Sequence, residues 1–277
     1  MQSFPFISTL KFKNMNSELE TKIMINKDLN VSELPTDGPV ALIDGDSLLY
    51  FEMGKPTLEE AMSGIDQRLL HILNHCKTAR YSGFLTIGKC FRYKAAKTKP
   101  YKYNRKRGSK PIIFYALTEY LKQEWNFTFI PELEADDLVS VYHGKDTVIC
   151  SPDKDVLYQN VGQHYNYGKA EITICLEDYA VEFLWKQVLM GDSTDGIPGL
   201  PKVGPKTADT WLKDMSVDKM PTFVLNKYIE IFGIQEGISK FAETFKLIYI
   251  LKSKEDVERE TGIVLNSLNI HSVAEDE

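Results

Sequence analysis

Val40-Ala-Leu-Ile-Asp44-Gly-Asp46 is the stretch from which the fold follows. Four apolar residues closing on a carboxylate are the trace of a strand buried on both faces, whose carboxyl end opens onto a site. The turn-rich Leu34-Pro-Thr-Asp-Gly-Pro39 precedes it, so residues 1–38, weakly periodic, read as an N-terminal arm. Downstream, Leu58 to Lys77 has amphipathic helical spacing and Gly83-Phe-Leu-Thr-Ile87 reads as a second strand. Pro111 to Trp125 repeats the helical spacing, and Phe127-Thr-Phe-Ile130 reads as a third strand. A helix from about Glu134 and a fourth strand, Thr147-Val-Ile-Cys150, complete the alternation. Strand and helix in turn predict an α/β core over residues 39–180, its mostly parallel sheet flanked by helices. Residues 181–277 read as a mainly helical region.

In an open parallel sheet, ligands gather outside the carboxyl ends of the strands. The acids fall there: Asp44 after the first strand, Glu132, Glu134, Asp136 and Asp137 after the third, Asp153 and Asp155 after the fourth. Asp46 reads as a capping or supporting residue, and Glu132 as a solvent-facing one. Asp136 and Asp137 are about 100° apart on a helix, so they face different ions or one faces solvent. Asp153 and Asp155 share a face in extended chain. Two unit charges 4 Å apart repel by about 4 kcal/mol at an effective dielectric near 20, so converging acids demand cations or bound protons. An all-oxygen set without Cys or His suits Mg²⁺ or Mn²⁺ rather than zinc. Two such ions about 4 Å apart clamp the attacking and leaving oxygens of a displacement at phosphorus.

The most specific stretch is Met190-Gly-Asp-Ser-Thr-Asp-Gly-Ile-Pro-Gly-Leu-Pro-Lys-Val-Gly-Pro-Lys-Thr-Ala208. Asp192 and Asp195, three apart, run into a glycine- and proline-punctuated hairpin. Free backbone N–H groups opening the next helix can hold a phosphate. Metal-binding acids joined to a phosphate grip point to chemistry on a nucleic-acid backbone.

The chain of 277 residues carries a net charge of −6, but the charge is segregated. Between Asp66 and Glu119 there is no acid, while Lys89, Arg92, Lys94, Lys97, Lys99, Lys102, Arg105, Lys106, Arg107 and Lys110 follow closely, interleaved with Phe91, Tyr93, Tyr101 and Tyr103. A basic run with aromatic stacking platforms is the footprint of a polyanion, single strands included. No apolar run is long enough to span a bilayer, and no signal-peptide pattern opens the chain. Cys76, Cys90, Cys150 and Cys175 lack a CxxC pair and read as reduced thiols of a cytoplasmic protein. His71 and His75, without an acid or Cys partner, read as a plain helix face.

The chain resembles the 5′→3′ exonuclease/flap endonuclease family, and within it the short bacteriophage-type enzymes. The likeness spans about residues 40–212: IDGDSLLYF at 43–51, YKYNRK at 101–106, ELEADDL at 132–138, SPDKD at 151–155 and the 190–208 stretch. The resemblance implies a PIN/5′-nuclease-like sheet and a helix-hairpin-helix. It implies that Asp44, Glu134, Asp136, Asp137, Asp153, Asp155, Asp192 and Asp195 hold two Mg²⁺ ions, with Mn²⁺ a substitute. Lys102 and Arg105 would be the catalytic cations at the scissile phosphodiester, and residues 89–110 the arch. Arg92, Tyr101 (as a stacking platform), Lys106, Gly199, Lys202, Gly204 and Lys206 would contact DNA, with K⁺ at the hairpin. The implied substrates are DNA 5′ ends, flaps and junctions, with RNA/DNA hybrids as candidates, in replication or repair. A monomer, working in a host cytoplasm if viral and beside replication proteins, completes that picture.

Many relatives carry a further metal-site Asp just after the second strand; here Thr86-Ile-Gly-Lys-Cys-Phe-Arg92 has no acid, and Lys89 is expected near the vacated place. That departure keeps open a catalytically impaired, structure-specific DNA-binding module. A haloacid-dehalogenase-type phosphatase would explain Asp44-Gly-Asp46 and Gly191-Asp-Ser-Thr-Asp195. It leaves ELEADD, SPDKD and the hairpin idle, and needs a strand where Trp185 to Met190 reads as helix. A PIN-type ribonuclease shares the sheet but is nearer half this length and lacks the hairpin.

Overall fold

Strand β1 (Val40–Asp44) is buried along its whole length, because it lies at the centre of a six-stranded sheet. In the computed structural model, which describes residues 34–105, 108 and 110–274, β1 is followed by helix α1 (Asp46–Glu52) and α2 (Leu58–Cys76). Strand β2 (Arg80–Phe84), α3 (Arg92–Ala95), α4 (Ile112–Glu124), α5 (Ala135–Val141) and β3 (Thr147–Cys150) come next. Then come α6 (Lys154–Gln159), β4 (Gly162–Asn166), β5 (Glu171–Cys175) and α7 (Glu177–Met190). A two-stranded ribbon, β6 (Gly191–Asp192) and β7 (Ile197–Pro198), leads into α8 (Pro205–Leu212), α9 (Met220–Phe232), α10 (Ile234–Ile248), α11 (Lys254–Thr261) and β8 (His271–Ser272).

The sheet order is β5-β4-β3-β1-β2-β8. The four central strands are parallel; β5 and β8 close the edges antiparallel. Alternate β1 residues serve opposite faces: Ala41 and Ile43 join α1, α2 and α4 in one core, Val40 and Leu42 join α5 and α6 in another. Helix α2 forms because Ala61, Ile65, Leu69, Ile72 and Leu73 recur on one face. Thr57 caps it by accepting from Glu60 N at 3.1 Å, and Lys77 ends it in the left-handed region. A third core of α7 to α10, including Trp185, Val188, Tyr228 and Leu247, also buries Cys90 and Tyr101 from the basic segment.

Phe127–Ile130, expected as a third strand, is not one. It makes a single parallel bridge, Thr128 to Phe84, with Thr128 N donating to Gly83 O at 2.9 Å and Leu85 N to Thr128 O at 2.9 Å. The rest of that edge of β2 is taken by β8, and the chain turns at Glu132, whose φ is 67°. Gly83 makes the crossing possible: a Cβ there would lie 2.1 Å from the Phe127 ring. Strand β2 starts and stops three residues earlier than expected, and β4, β5 and β8 were not anticipated.

Trp185 to Met190 is helix, as the spacing predicts. All four cysteines are free and buried. No helix among the described residues is long and apolar enough to cross a membrane. The His71 and His75 rings lie 4.1 Å apart on α2, tilted by 49°, and the His75 ring lies flat on Tyr165. Residues 1–33 of the expected arm lie outside the described residues; Pro35 O accepts from Ala79 N at 2.8 Å, tying the described end to the sheet.

Candidate active site

At the carboxyl ends of β1 and β3 lies a cleft of about 130 Å³. Glu134, Asp136, Asp153, Asp155, Asp192, Asp195, Tyr101 and Arg105 line it. Asp44 closes the base: it is buried, accepts from Ser151 Oγ at 2.8 Å and from Asp46 N at 3.0 Å. Ser151 Oγ also accepts from Asp153 N at 3.1 Å, so one hydroxyl orients the ends of two strands. Burial, then Asp46 and Asp153, push the Asp44 carboxyl up to about 7. Burial and Asp153 push Asp155 up to about 7. Burial, then Asp44, Asp153 and Glu134, hold Asp136 well above the usual range; burial, then Asp195 and Asp192, raise Asp153. Five of the eight expected carboxylates therefore feel one another, as do Asp192 and Asp195 beyond them.

Asp46 opens α1 and supports the site, as the sequence suggested: it accepts from Thr86 N at 2.8 Å, and burial raises its carboxyl in spite of that bond. Thr86 Oγ1 in turn accepts from Ala135 N at 2.9 Å. In the acid-free stretch after β2, Thr86 thus joins Asp46 to the start of α5. Lys89 is exposed, its ammonium 5.7 Å from the Tyr93 ring, and no contact takes it into the cleft.

The opposite wall carries cations. Lys102, left-handed at φ 56°, donates from Nζ to Glu134 Oε1 at 2.5 Å and lies 3.6 Å from Asp195 Oδ2. Its backbone N donates to Asp195 O at 2.8 Å, and Arg105 pairs with Asp195 Oδ1. Burial would raise the Glu134 carboxyl, but Arg92 and Lys102 outweigh it and hold it down to about 2. The same acids keep the Lys102 ammonium above its ordinary range against burial.

Three expected roles change. Asp137 does not face the cleft: it is fully buried, paired with both Arg92 terminal nitrogens at 2.7 Å, and accepts from Leu251 N at 3.2 Å. Its oxygens are spent on that network, so it is not placed to hold an ion. Arg92, expected on DNA, is 3% exposed and donates to Glu134, Asp137, Leu247 O and Tyr249 O; no donor face is left for a phosphate. Tyr101, expected as a stacking platform, is 5% exposed, its hydroxyl bonding Glu134 Oε2 and Asp195 Oδ2 at 3.0 Å each. Tyr93 and Tyr103 are the exposed aromatics among the described residues of the basic segment, each with a lysine ammonium over its ring, Lys89 and Lys99.

In the hairpin, Lys202 and Lys206 are exposed, Lys202 left-handed at φ 62°, and Gly204 precedes Pro205 at the N-terminus of α8. Gly199 has a structural reason instead: a Cβ there would meet the Met190 backbone at 2.1 Å, where the ribbon crosses the end of α7. Lys106 lies outside the described residues.

The donor set fits a hard divalent cation. Its ligands are oxygens only, burial and mutual repulsion raise the carboxyls of Asp44, Asp136, Asp153 and Asp155, and Asp155 Oδ1 is buried without a hydrogen-bond partner. No three Asp, Glu, His or Cys side chains among the described residues stand close enough to enclose one ion; the acids line an open cleft, not a closed cage.

A cleft of carboxylates at the switch of a parallel sheet, faced by Lys102 and Arg105, defines a phosphoryl-chemistry class of site. Sequence comparison gives the family. A 5′–3′ exonuclease of Buchnera aphidicola subsp. Acyrthosiphon pisum is 31% identical over 235 residues, covering 74% of this chain and 76% of that protein. The chain belongs to the 5′–3′ exonuclease/flap endonuclease family. No family model matches the sequence. The fold is also that of the bacteriophage T5 D15 protein co-crystallized with metal ions, at a TM-score of 0.57 and 15% identity over 80% of this chain and 97% of that one. A bacteriophage T5 D15 flap endonuclease complex with DNA and metal ions has a TM-score of 0.55 at 17% identity, over 80% and 94% of the two chains.

Proposed function

We propose that this chain hydrolyses phosphodiesters of DNA near 5′ ends and at flap or junction structures, in replication or repair, with Mg²⁺ as its working ion. The observation that carries the reading is the convergence on one cleft of Asp136, Asp153, Asp155, Asp192 and Asp195, with Lys102 and Arg105 reaching it from the basic segment. Asp44, Asp136, Asp153, Asp155 and Asp192 would hold two divalent ions, which would supply a nucleophilic water and neutralise the leaving oxygen. Glu134 and Asp195, also expected as ligands, pair with Lys102 and Arg105 and would orient those cations instead.

The residues of the chain do the rest. Lys102 Nζ and Arg105 would donate to the non-bridging oxygens of the scissile phosphate, where charge builds in the transition state. Glu134, held ionised, and Tyr101 Oη aim Lys102 and Asp195 across the cleft. Ser151 and Tyr167 fix Asp44, the latter by donating to Asp44 O at 2.6 Å. Lys202, Gly204 and Lys206 would track the duplex backbone, with K⁺ at the hairpin. Tyr93 and Tyr103 would stack on bases of the 5′ strand. Contacts of this kind select shape and end rather than sequence. Action on RNA/DNA hybrids, as a cytoplasmic monomer beside replication proteins, belongs to the same proposal.

The test is cleavage of a 5′-labelled flap duplex, with products resolved by length. Mg²⁺-dependent short products, absent with EDTA and in Asp153→Asn/Asp155→Asn, are the expected result. Tight, salt-sensitive binding without cleavage would overturn the nuclease reading in favour of a binding module.

A further inference from the structure

Lys102 reaches the cleft on a segment with no regular structure between α3 and α4, in a backbone conformation that disfavours a side chain. Something must hold that segment in place. Four residues before Lys102, a single carboxylate from α10 does so. Glu243 accepts from Lys97 N at 2.6 Å, from Thr98 N at 2.7 Å and from Thr98 Oγ1 at 2.6 Å. Three short bonds to one ionised group are at the strong end for proteins. They outweigh burial and keep the Glu243 carboxyl below its usual range.

The neighbours of Glu243 on α10 grip the rest of the site's cation wall. Thr244 Oγ1 donates to Pro198 O in the ribbon that carries Asp192 and Asp195, at 3.1 Å. Leu247 O accepts from Arg92 Nε at 3.2 Å. One turn and a half of helix thus fixes the ribbon, the start of the basic segment and its middle.

We propose that Glu243 is a positioning residue that sets the path of residues 97–102, so that Lys102 arrives between Glu134 and Asp195. The inference rests on the nuclease reading above. Glu243 touches no reacting atom; it acts through Lys102. Its loss lets the segment relax from the left-handed turn, and a cation displaced by an ångström loses much of its effect on the transition state.

The experiment is a double-mutant cycle on the 5′-labelled flap duplex, with Ca²⁺ binding and melting temperature measured in parallel. Glu243→Ala is expected to lower kcat about tenfold with KM and flap affinity in Ca²⁺ unchanged. Glu243→Gln, which keeps an acceptor oxygen for the Thr98 and Lys97 amides, should recover most of that loss. Thr98→Val, losing one bond of three without disturbing the fold, should show a smaller loss of the same kind. In a Lys102→Ala background, Glu243→Ala should cost nothing further. An additive loss there, or an unchanged kcat in Glu243→Ala alone, overturns the inference while leaving the nuclease reading in place. A Lys102→Ala variant as active as wild type overturns the assignment of the cation wall, and this inference with it.

Discussion

At the start of α5 and in the β6–β7 ribbon, three acids have a cation: Glu134 meets Arg92 and Lys102, Asp137 meets Arg92, and Asp195 meets Arg105. Asp44 after β1, Asp153 after β3 and Asp136 on α5 are instead raised by burial and by neighbouring acids. Asp155 has Lys154 at 3.9 Å and still rises to about 7. Glu134, more deeply buried, falls to about 2. The same residue chemistry within one cleft gives some acids neutralised by the protein and others that lack a matching cation. A divalent cation therefore gains most on the sheet side, and a phosphate entering between the walls meets positive charge from both.

The largest effect should come from breaking the sheet side. Asp153→Asn/Asp155→Asn should reduce flap cleavage by about 10³-fold or more, beyond the loss of one oxyanion donor, with Ca²⁺-supported DNA binding retained. Steady-state rates and gel-shift affinities on the same substrate would show it. Next in size, Arg92→Ala removes the cation that neutralises two buried acids and should cost about 3–5 kcal/mol of stability; equilibrium urea unfolding measures this directly. Lys102→Ala should lower kcat about 10²-fold through the lost transition-state contact, with little change in KM. A pure KM effect would instead make it a ground-state binding residue.

The smallest effect is on pH. Asp44 and Asp155, at about 7 in the fold against about 3.9 in the unfolded chain, bind protons more tightly when folded. The stability they lend is complete below the unfolded value and is lost as pH rises through about 7. A metal must displace those protons, so the Mg²⁺-induced rise in melting temperature should be small at pH 6 and grow to a plateau near pH 8. A rise independent of pH would place the ion elsewhere.

The two walls differed in how far the sequence revealed them. Asp44, Asp153 and Asp155 were legible because each directly follows an apolar strand run, and topology alone then brings them together. Glu134 was legible as the start of a helix, and it does cap α5, reciprocally with Asp137. The cation wall was opaque. Arg92 stands in a basic run and looks solvated, yet its partners lie 45 and 157 residues away, and no local pattern encodes such contacts. Tyr101 failed for the same reason: its hydroxyl bonds to acids on two other elements. In the fold, β4 was missed because Gln163, His164 and Asn166 break the apolar signature of a buried strand. Two of these are buried by hydrogen bonds rather than hydrophobicity, His164 Nε2 with Asn160 O and Asn166 Oδ1 with Gly168 N. Phe127 and Phe129 suggested a strand by residue type, but Phe127 instead fills the space over Gly83 and Gly45.

Thermal melting at pH 8, with and without Mg²⁺, of wild type, Asp155→Asn and Glu134→Gln tests the contrast between the walls most directly. Without metal, Asp155→Asn should melt above wild type, because repulsion is relieved, and gain little from Mg²⁺. Each kcal/mol relieved corresponds to about 2–4 °C in a chain of this size. Glu134→Gln should melt below wild type, because Arg92 and Lys102 lose a partner, and should still respond to Mg²⁺. A metal-free Asp155→Asn that melts lower than wild type, or a wild type indifferent to Mg²⁺, would contradict the account.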